Sequence, residues 1–260
     1  MAKYFMVRDE EIEKEFDQNG FFMTEVLKGV YEGGVRHYKC WLKAGCKVSP
    51  QLYAEETVVV MFGKGRGYIT SDCNLFQITK PAFYAPRFDQ EAYTIHAVEN
   101  MEFMFSVVEM NQWDRELYRA CRIRLPFFME YTDGQIYDQD CKGLNTTSWL
   151  ILGAEQLGRI MIGVVRAVGE GTVEKGHPSV HQWNYCLGNA DFTLTVADEE
   201  PVRHKGGEFS FIPAGHDHSL VAEPGKEVFY VWFEHFARER DFRVCLAEGE
   251  RLEDKLKHGE

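Results

Sequence analysis

The sequence predicts a mainly β protein of two tandem barrels or sandwiches with a short helical connector. Short apolar or alternating runs rich in Val, Phe and Tyr, broken by Gly, Pro and Asn, fill most of the chain and read as strands. The two halves also echo each other. Glu56 is followed by six residues, Gly63 and then RGYIT; His181 is followed by six residues, Gly188 and then FTLTV. A mostly β repeat of this kind indicates duplicated barrels or sandwiches. The length, 260 residues, suits one large domain or two small ones.

The elements follow in order. Residues 1–20 form an arm, with a short charged helix expected over 8–17 (RDEEIEKEFD). Residues 21–111 form the first barrel, with strands in VRHYKCWLKAG, ETVVVMFGKGRGYIT and NMEFMFSVVEM. Residues 112–145 are the connector. It starts with a helix over 112–122, where Trp113, Leu117 and Cys121 recur four apart on one face, and Pro126 closes that element. The turn-rich YTDGQIYDQDCKGLNTT follows. Residues 146–245 form the second barrel, with strands in TSWLILGA, GRIMIGVVRAVGEG, FTLTVAD, GEFSFIPAG and KEVFYVWFEHF. Residues 246–260 make a charged tail.

A net charge of −12 makes nucleic acid and anionic membrane poor partners. No apolar run reaches about 18 residues, so no membrane span is expected. The N-terminus lacks the apolar core of a signal peptide. Seven cysteines (Cys40, Cys46, Cys73, Cys121, Cys141, Cys186, Cys245) form no CxxC pair and are odd in number, which reads as reduced thiols in a cytoplasmic protein.

Four histidines fall in two windows: GHPSVHQWNYCLGN with His177 and His181, and GEFSFIPAGHDHSL with His216 and His218. Imidazoles sharing a metal bring their nitrogens within roughly 3–4 Å, whereas residues four apart on a straight strand lie about 13 Å apart. A bend at Pro178-Ser179 is therefore expected, with His177 on one strand and His181 starting the next. Gly207, Pro213 and Gly215 mark turns around EFSFI, and His218 then begins a further strand. His216, beside Asp217 in a turn, reads as solvated or as a support to the site rather than a ligand.

These windows resemble the cupin superfamily. Its second motif, G-x5-P-x-G-x2-H, is matched by Gly207, Pro213, Gly215 and His218. Its first motif is matched in part. Counting back from Gly188, His181 takes the glutamate position, His177 the second histidine, and Lys175 the place of the first. The resemblance implies a bicupin, two tandem jelly-roll β-barrels. In the first half the same positions hold Leu52, Glu56 and about Glu91, so that barrel is expected to be metal-free. The second barrel resembles the manganese-binding (S)-ureidoglycine aminohydrolase branch in the spacing His177-x3-His181-x6-Gly188, with Glu174 displaced by one residue and His218 in place of a glutamine. That branch carries a tyrosine and a lysine four apart on a late strand; here Tyr230 and Glu234 stand there.

The sequence thus nominates His177, His181 and His218 as ligands of a divalent metal, manganese first, with iron, zinc and nickel as alternatives. Glu174 is a candidate fourth ligand or catalytic carboxylate. Tyr230, Trp232 and Glu234 share a strand face, which makes Glu234 a candidate general base and Tyr230 its neighbour. Trp183 and Tyr185 share a face with His181 and either wall the pocket or pack. The expected function is a metal-dependent hydrolase of a small polar carbonyl or ureido compound, by C–N hydrolysis or ring opening of a cyclic diketone. Isomerase, lyase or iron dioxygenase chemistry is the alternative within enzymes, and a non-catalytic small-molecule-binding cupin the alternative outside them. The expected partner is a small-molecule substrate, with homo-oligomer formation left open.

Overall fold

The computed structural model describes residues 3–121, 123–153 and 156–236. The expected tail at 246–260, and residues 237–245 of the expected second barrel, lie outside them. The strands in chain order are β1 (Phe5–Val7), β2 (Phe21–Val26), β3 (Val35–Leu42), β4 (Lys47–Val48), β5 (Glu56–Lys64), β6 (Gly67–Ser71), β7 (Leu75–Ile78), β8 (Ala82–Ala85), β9 (Tyr93–Ala97) and β10 (Met101–Glu109). Helix α1 (Gln112–Cys121) follows, then β11 (Phe127–Glu130), β12 (Gln135–Tyr137), β13 (Thr147–Leu152), β14 (Ile160–Val168), β15 (Gly171–Glu174), β16 (His181–Cys186), β17 (Asp191–Val196), β18 (Val202–Lys205), β19 (Phe209–Ile212), β20 (His218–Val221) and β21 (Glu227–His235).

The chain divides into two compact units. One comprises Asp9–Gln112 and 122–133, the other Met1–Arg8, Trp113–Cys121 and everything from Gly134 onward. The stretch expected as a connector is thus shared between the two units, and β1 belongs to the unit of the second half.

In the first unit a six-stranded sheet, β11-β8-β5-β10-β3-β2, accompanies a four-stranded sheet, β4-β9-β6-β7. Alternation along β10 sends Phe103, Phe105 and Val107 into one cluster with Phe62, Val60 and Val58, their register partners on β5. Tyr84, Tyr93, Ile69, Ile95 and Leu42 belong to the same cluster. Burying each large apolar side chain is worth about 1.5–3 kcal/mol, so this interior serves stability. Glu56 pairs with Arg36, and the His96 Nε2 lies 2.9 Å from the Thr70 hydroxyl.

The expected helix over 8–17 is instead a single 3-10 turn, Asp9–Glu11. Only Ile12 and Phe16 are apolar in that stretch, too few for a helical stripe. Asp9 is held by tertiary ion pairs with Lys39 and Lys14.

In the second unit the sheets are β1-β19-β16-β21-β14-β13-β12 and β15-β20-β17-β18, and every pairing is antiparallel. Helix α1 packs Leu117 against Val180 and Phe236, with Trp113 and Met161 beside them. Its Asp114 takes a two-pronged ion pair from Arg159, both contacts 2.9 Å, at the start of β14. No helix among the described residues is long and apolar enough to cross a membrane.

Candidate functional site

The two barrels differ in what fills them. The Tyr230 hydroxyl on β21 lies 3.3 Å from the Thr172 hydroxyl on β15, so both side chains lie between the two sheets of the second unit. Strand alternation extends this inner face to Trp232 and Glu234 on β21 and to Gln182, Asn184 and Cys186, their register partners on β16. Ser210 opposite Asn184 lies 3.0 Å from the ring of His204 on β18. Where the interior cluster of the first barrel is aliphatic and aromatic, with tyrosine hydroxyls among its polar atoms, the second also holds Thr172, Glu174, Gln182, Asn184, His204, Ser210 and His218. Gly163 lies opposite Trp232, and a side chain there would collide with the indole.

The histidine windows meet here. The loop after β15 is tied to the turn before β20 by Gly176 N–H donating to Asp217 Oδ1 (2.8 Å) and Gly215 N–H donating to the His177 carbonyl (2.8 Å). A Cβ on Gly176 would stand 2.5 Å from the backbone of Gly215 and His216, so glycine lets the two loops touch. Glu174, the last residue of β15, faces His218, the first of β20, in register. Both His177 Nε2 and His218 Nε2 stand 3.5 Å from Glu174 Oε2. His218 Nδ1 donates to the His216 carbonyl (3.1 Å), which leaves the buried Nε2 as a lone-pair site without a hydrogen-bond partner. His216 therefore enters the site through its backbone.

Two acceptors facing each other across 3.5 Å suit a cation between them, a proton or a metal ion, and nitrogen and carboxylate oxygen are donors that divalent zinc, manganese or iron accept. Glu174, His177 and His218 thus offer donor atoms of the kinds such an ion takes. Among the described residues, no group of three or more His, Cys, Asp or Glu is already spaced to hold a metal ion. The histidine rings lie 6.4 Å apart, each close to Glu174. Burial raises the Glu174 carboxyl, but protons carried on the facing imidazole nitrogens, the alternative to a metal ion there, outweigh it and hold the group well below the usual carboxylate range. Its other oxygen, Oε1, lies 3.9 Å from the Cys141 thiol, which burial and the Glu174 charge push up to about 11.

His181, nominated as a ligand from the motif count, is not brought to this group. It opens β16 on the face that carries Trp183 and Tyr185, opposite to Gln182 and Asn184. Its ring stacks on Phe211 at 5.9 Å, and its Nδ1 accepts the Ala214 N–H at 3.3 Å. Trp183 stacks on Phe211 at 4.7 Å and meets Phe233 edge-on, so that face is packing. The bend at Pro178 does separate the strands, but His177 lies in the loop past β15 and the residue that points inward on β16 is Gln182. A one-residue phase in the strand decides this, and spacing alone does not set it.

Tyr230 and Glu234 lie on the inner face of β21. Burial, with the Glu174 charge, raises the Tyr230 hydroxyl well above its ordinary value, so it stays protonated.

Sequence reasoning missed Lys142. It forms an isolated bridge opposite Thr172, and directly paired residues project to the same side. Its ammonium lies 3.8 Å from the Tyr137 ring centroid and is buried without a hydrogen-bond partner. Burial lowers it to about 8, although Glu174, Cys141, Asp138 and Glu234 pull the other way. Its sequence context, a turn-rich connector, carried no signal.

Two antiparallel barrels in one chain, one of them with a polar, histidine-bearing interior, make this a bicupin fold. No family model matches the chain, and no curated protein matches it. Among solved structures it is similar to a glyoxylate-induced protein from Pseudomonas aeruginosa (12% identity, 92% of this chain and 91% of that one, TM-score 0.73). It is also similar to protein Ylba from E. coli (9%, 91% and 92%, TM-score 0.68) and to an oxalate decarboxylase of Lactobacillus farciminis in complex with formate (11%, 92% and 87%, TM-score 0.64). At these identities the likeness is one of fold.

Proposed function

We propose that the second barrel is the site of a metal-dependent hydrolase acting on a small polar carbonyl or ureido compound. The observation that carries this reading is the convergence of His177 Nε2 and His218 Nε2 on Glu174 Oε2, each at 3.5 Å, in a barrel that also buries Thr172, Gln182, Asn184, His204 and Ser210. Glu174, His177 and His218 would hold a divalent ion, manganese first. Such an ion supplies Lewis-acid polarisation of a carbonyl and a bound water of lowered pKa. The other side chains have their own tasks. Glu234 accepts a proton from the nucleophilic water. The Tyr230 hydroxyl donates a hydrogen bond. The Lys142 ammonium offsets negative charge and orients an electronegative group of the substrate. Trp232 and Tyr137 exclude bulk water from the inner end.

The test is elemental analysis of the purified protein, followed by an ammonia-release screen of ureido and amide compounds after loading with manganese, iron or zinc. Turnover that needs both metal and Glu174 supports the reading. A protein that binds metal and ligand without turning over any of them is a small-molecule-binding cupin, and this reading fails.

A further inference from the structure

We infer that Gln182 and Asn184 form a recognition site for a ligand edge that carries both a carbonyl and an N–H, the edge of a ureido, lactam or carboxamide group. This deepens the reading above, on which it rests for the class of substrate.

The two residues alternate on β16, so both project to the inner face, where Gln182 lies opposite Glu234 and Asn184 opposite Trp232. Gln182 is 4% exposed and Asn184 is fully buried. Each satisfies half of the other: Gln182 Nε2 donates to Asn184 Oδ1 at 2.9 Å. The remaining halves, Gln182 Oε1 and Asn184 Nδ2, have no hydrogen-bond partner. Turning both amides over exchanges their roles but still leaves one acceptor and one donor unpaired. Buried polar atoms are almost always paired in folded proteins, and leaving one unpaired costs about 1–3 kcal/mol. One acceptor beside one donor is complementary to a planar group that offers N–H and C=O together.

The neighbourhood fits a bound substrate. Side-chain exposure is 33% at His177, 15% at Glu174 and 2% at His218, and Gln182 and Asn184 are buried like His218. The pair lies next to Glu234 in the strand register. Apolar side chains of the same size would pack better here, so the polar pair is not explained by stability.

The test uses ligand-observed NMR with 2-imidazolidinone, which has a C=O flanked by N–H, against cyclopentanone, which keeps the ring and the carbonyl but has no N–H. The full-length protein should bind the cyclic urea at least ~10-fold more tightly, the value of one buried hydrogen bond. Gln182→Leu and Asn184→Leu should each abolish that preference while leaving the apo melting temperature equal or higher. Gln182→Met serves if the leucine variant does not fold. Equal binding of the two rings by the unaltered protein, or a preference that persists in the folded variants, overturns the proposal. His218→Ala separates it from the metal reading: that variant should lose metal and keep the N–H preference.

Discussion

Glu174 and His218 stand directly opposite each other on β15 and β20, with carboxylate and imidazole 3.5 Å apart and the far side of the imidazole fixed by the His216 carbonyl. A strand register, not a loop, sets this pair, so its geometry persists without a ligand. Glu174→Gln and His218→Ala should each drop bound metal well below one ion per chain, and His177→Ala should do the same. His181→Ala should retain it, because that ring stacks on Phe211 on the other face of β16. Inductively coupled plasma analysis of the four variants decides this. Loss of metal in His181→Ala with retention in His177→Ala would reverse the assignment.

Lys142 is a cost to the fold that the site retains. Its ammonium is buried without a hydrogen-bond partner, and burial brings it down to about 8. Lys142→Met keeps the length of the stem and removes the charge. It should stabilise the apo protein by roughly 1–3 kcal/mol, since a buried ammonium that makes no hydrogen bond, and whose burial outweighs the Tyr137 ring and the nearby negative charges, is replaced by a thioether. At about 2–4 °C per kcal/mol for a protein of this size, the shift is visible in a thermal melt. Turnover should fall in the same variant. A destabilised variant with unchanged turnover would make Lys142 a structural residue.

Acid should weaken the first unit through His37. This ring is 3% exposed, lies 2.8 Å from the Ser106 hydroxyl, and is pushed by burial down to about 3. The unfolded chain takes up that proton near pH 6.5, the fold only near 3. The unfolded state therefore binds more protons throughout that window, and stability falls as the pH is lowered from about 6.5 toward 3. The loss is on the order of a few kcal/mol. Urea melts across pH 3.5–7.5 should show this slope, and His37→Asn should flatten it.

The ion pair between Asp114 and Arg159 holds α1 to the start of β14. Both side chains are buried, and Arg159 also donates to the Phe236 carbonyl at 3.1 Å. Asp114→Ala leaves a buried guanidinium without its carboxylate and should cost about 3–5 kcal/mol. Chemical denaturation measures this directly. A loss below about 1 kcal/mol would mean that water reaches Arg159 once the carboxylate is gone.

The double-barrel architecture was legible because alternating apolar residues and the repeat around Gly63 and Gly188 survive in one dimension. The second window was legible for the same reason: glycine and proline turns place His218 at the head of a strand. Strand phase at β16 was not legible. His181 and Gln182 are adjacent, both can bind a metal or a substrate, and only the pairing with β21 shows which points inward. Lys142 was hidden because its role comes from one bridge to Thr172, a contact between segments 30 residues apart in sequence. The charged helix over 8–17 failed for the converse reason, since tertiary pairing of Asp9 with Lys39 outweighed local propensity.

Glu234 is the proposed proton acceptor, and its variant gives the sharpest test of chemistry. It lies on the inner face of β21, two residues from Trp232 and four from Tyr230, opposite Gln182 on one side and Met161 on the other. The site carboxylates then have separate duties: Glu174 is held ionised by two imidazoles, whereas Glu234 lies on the neighbouring sheet, away from the strand that carries Glu174. A general base contributes about 10²–10⁴-fold to a rate. Glu234→Gln preserves shape and removes the proton acceptor. It should bind metal normally, melt within a few degrees of the unaltered protein, and turn over substrate at least ~100-fold more slowly, with kcat rather than KM carrying the loss. Full activity would place the base elsewhere, with Lys142 the next group to examine. Loss of metal instead would make Glu234 a ligand and leave Glu174 available for proton transfer.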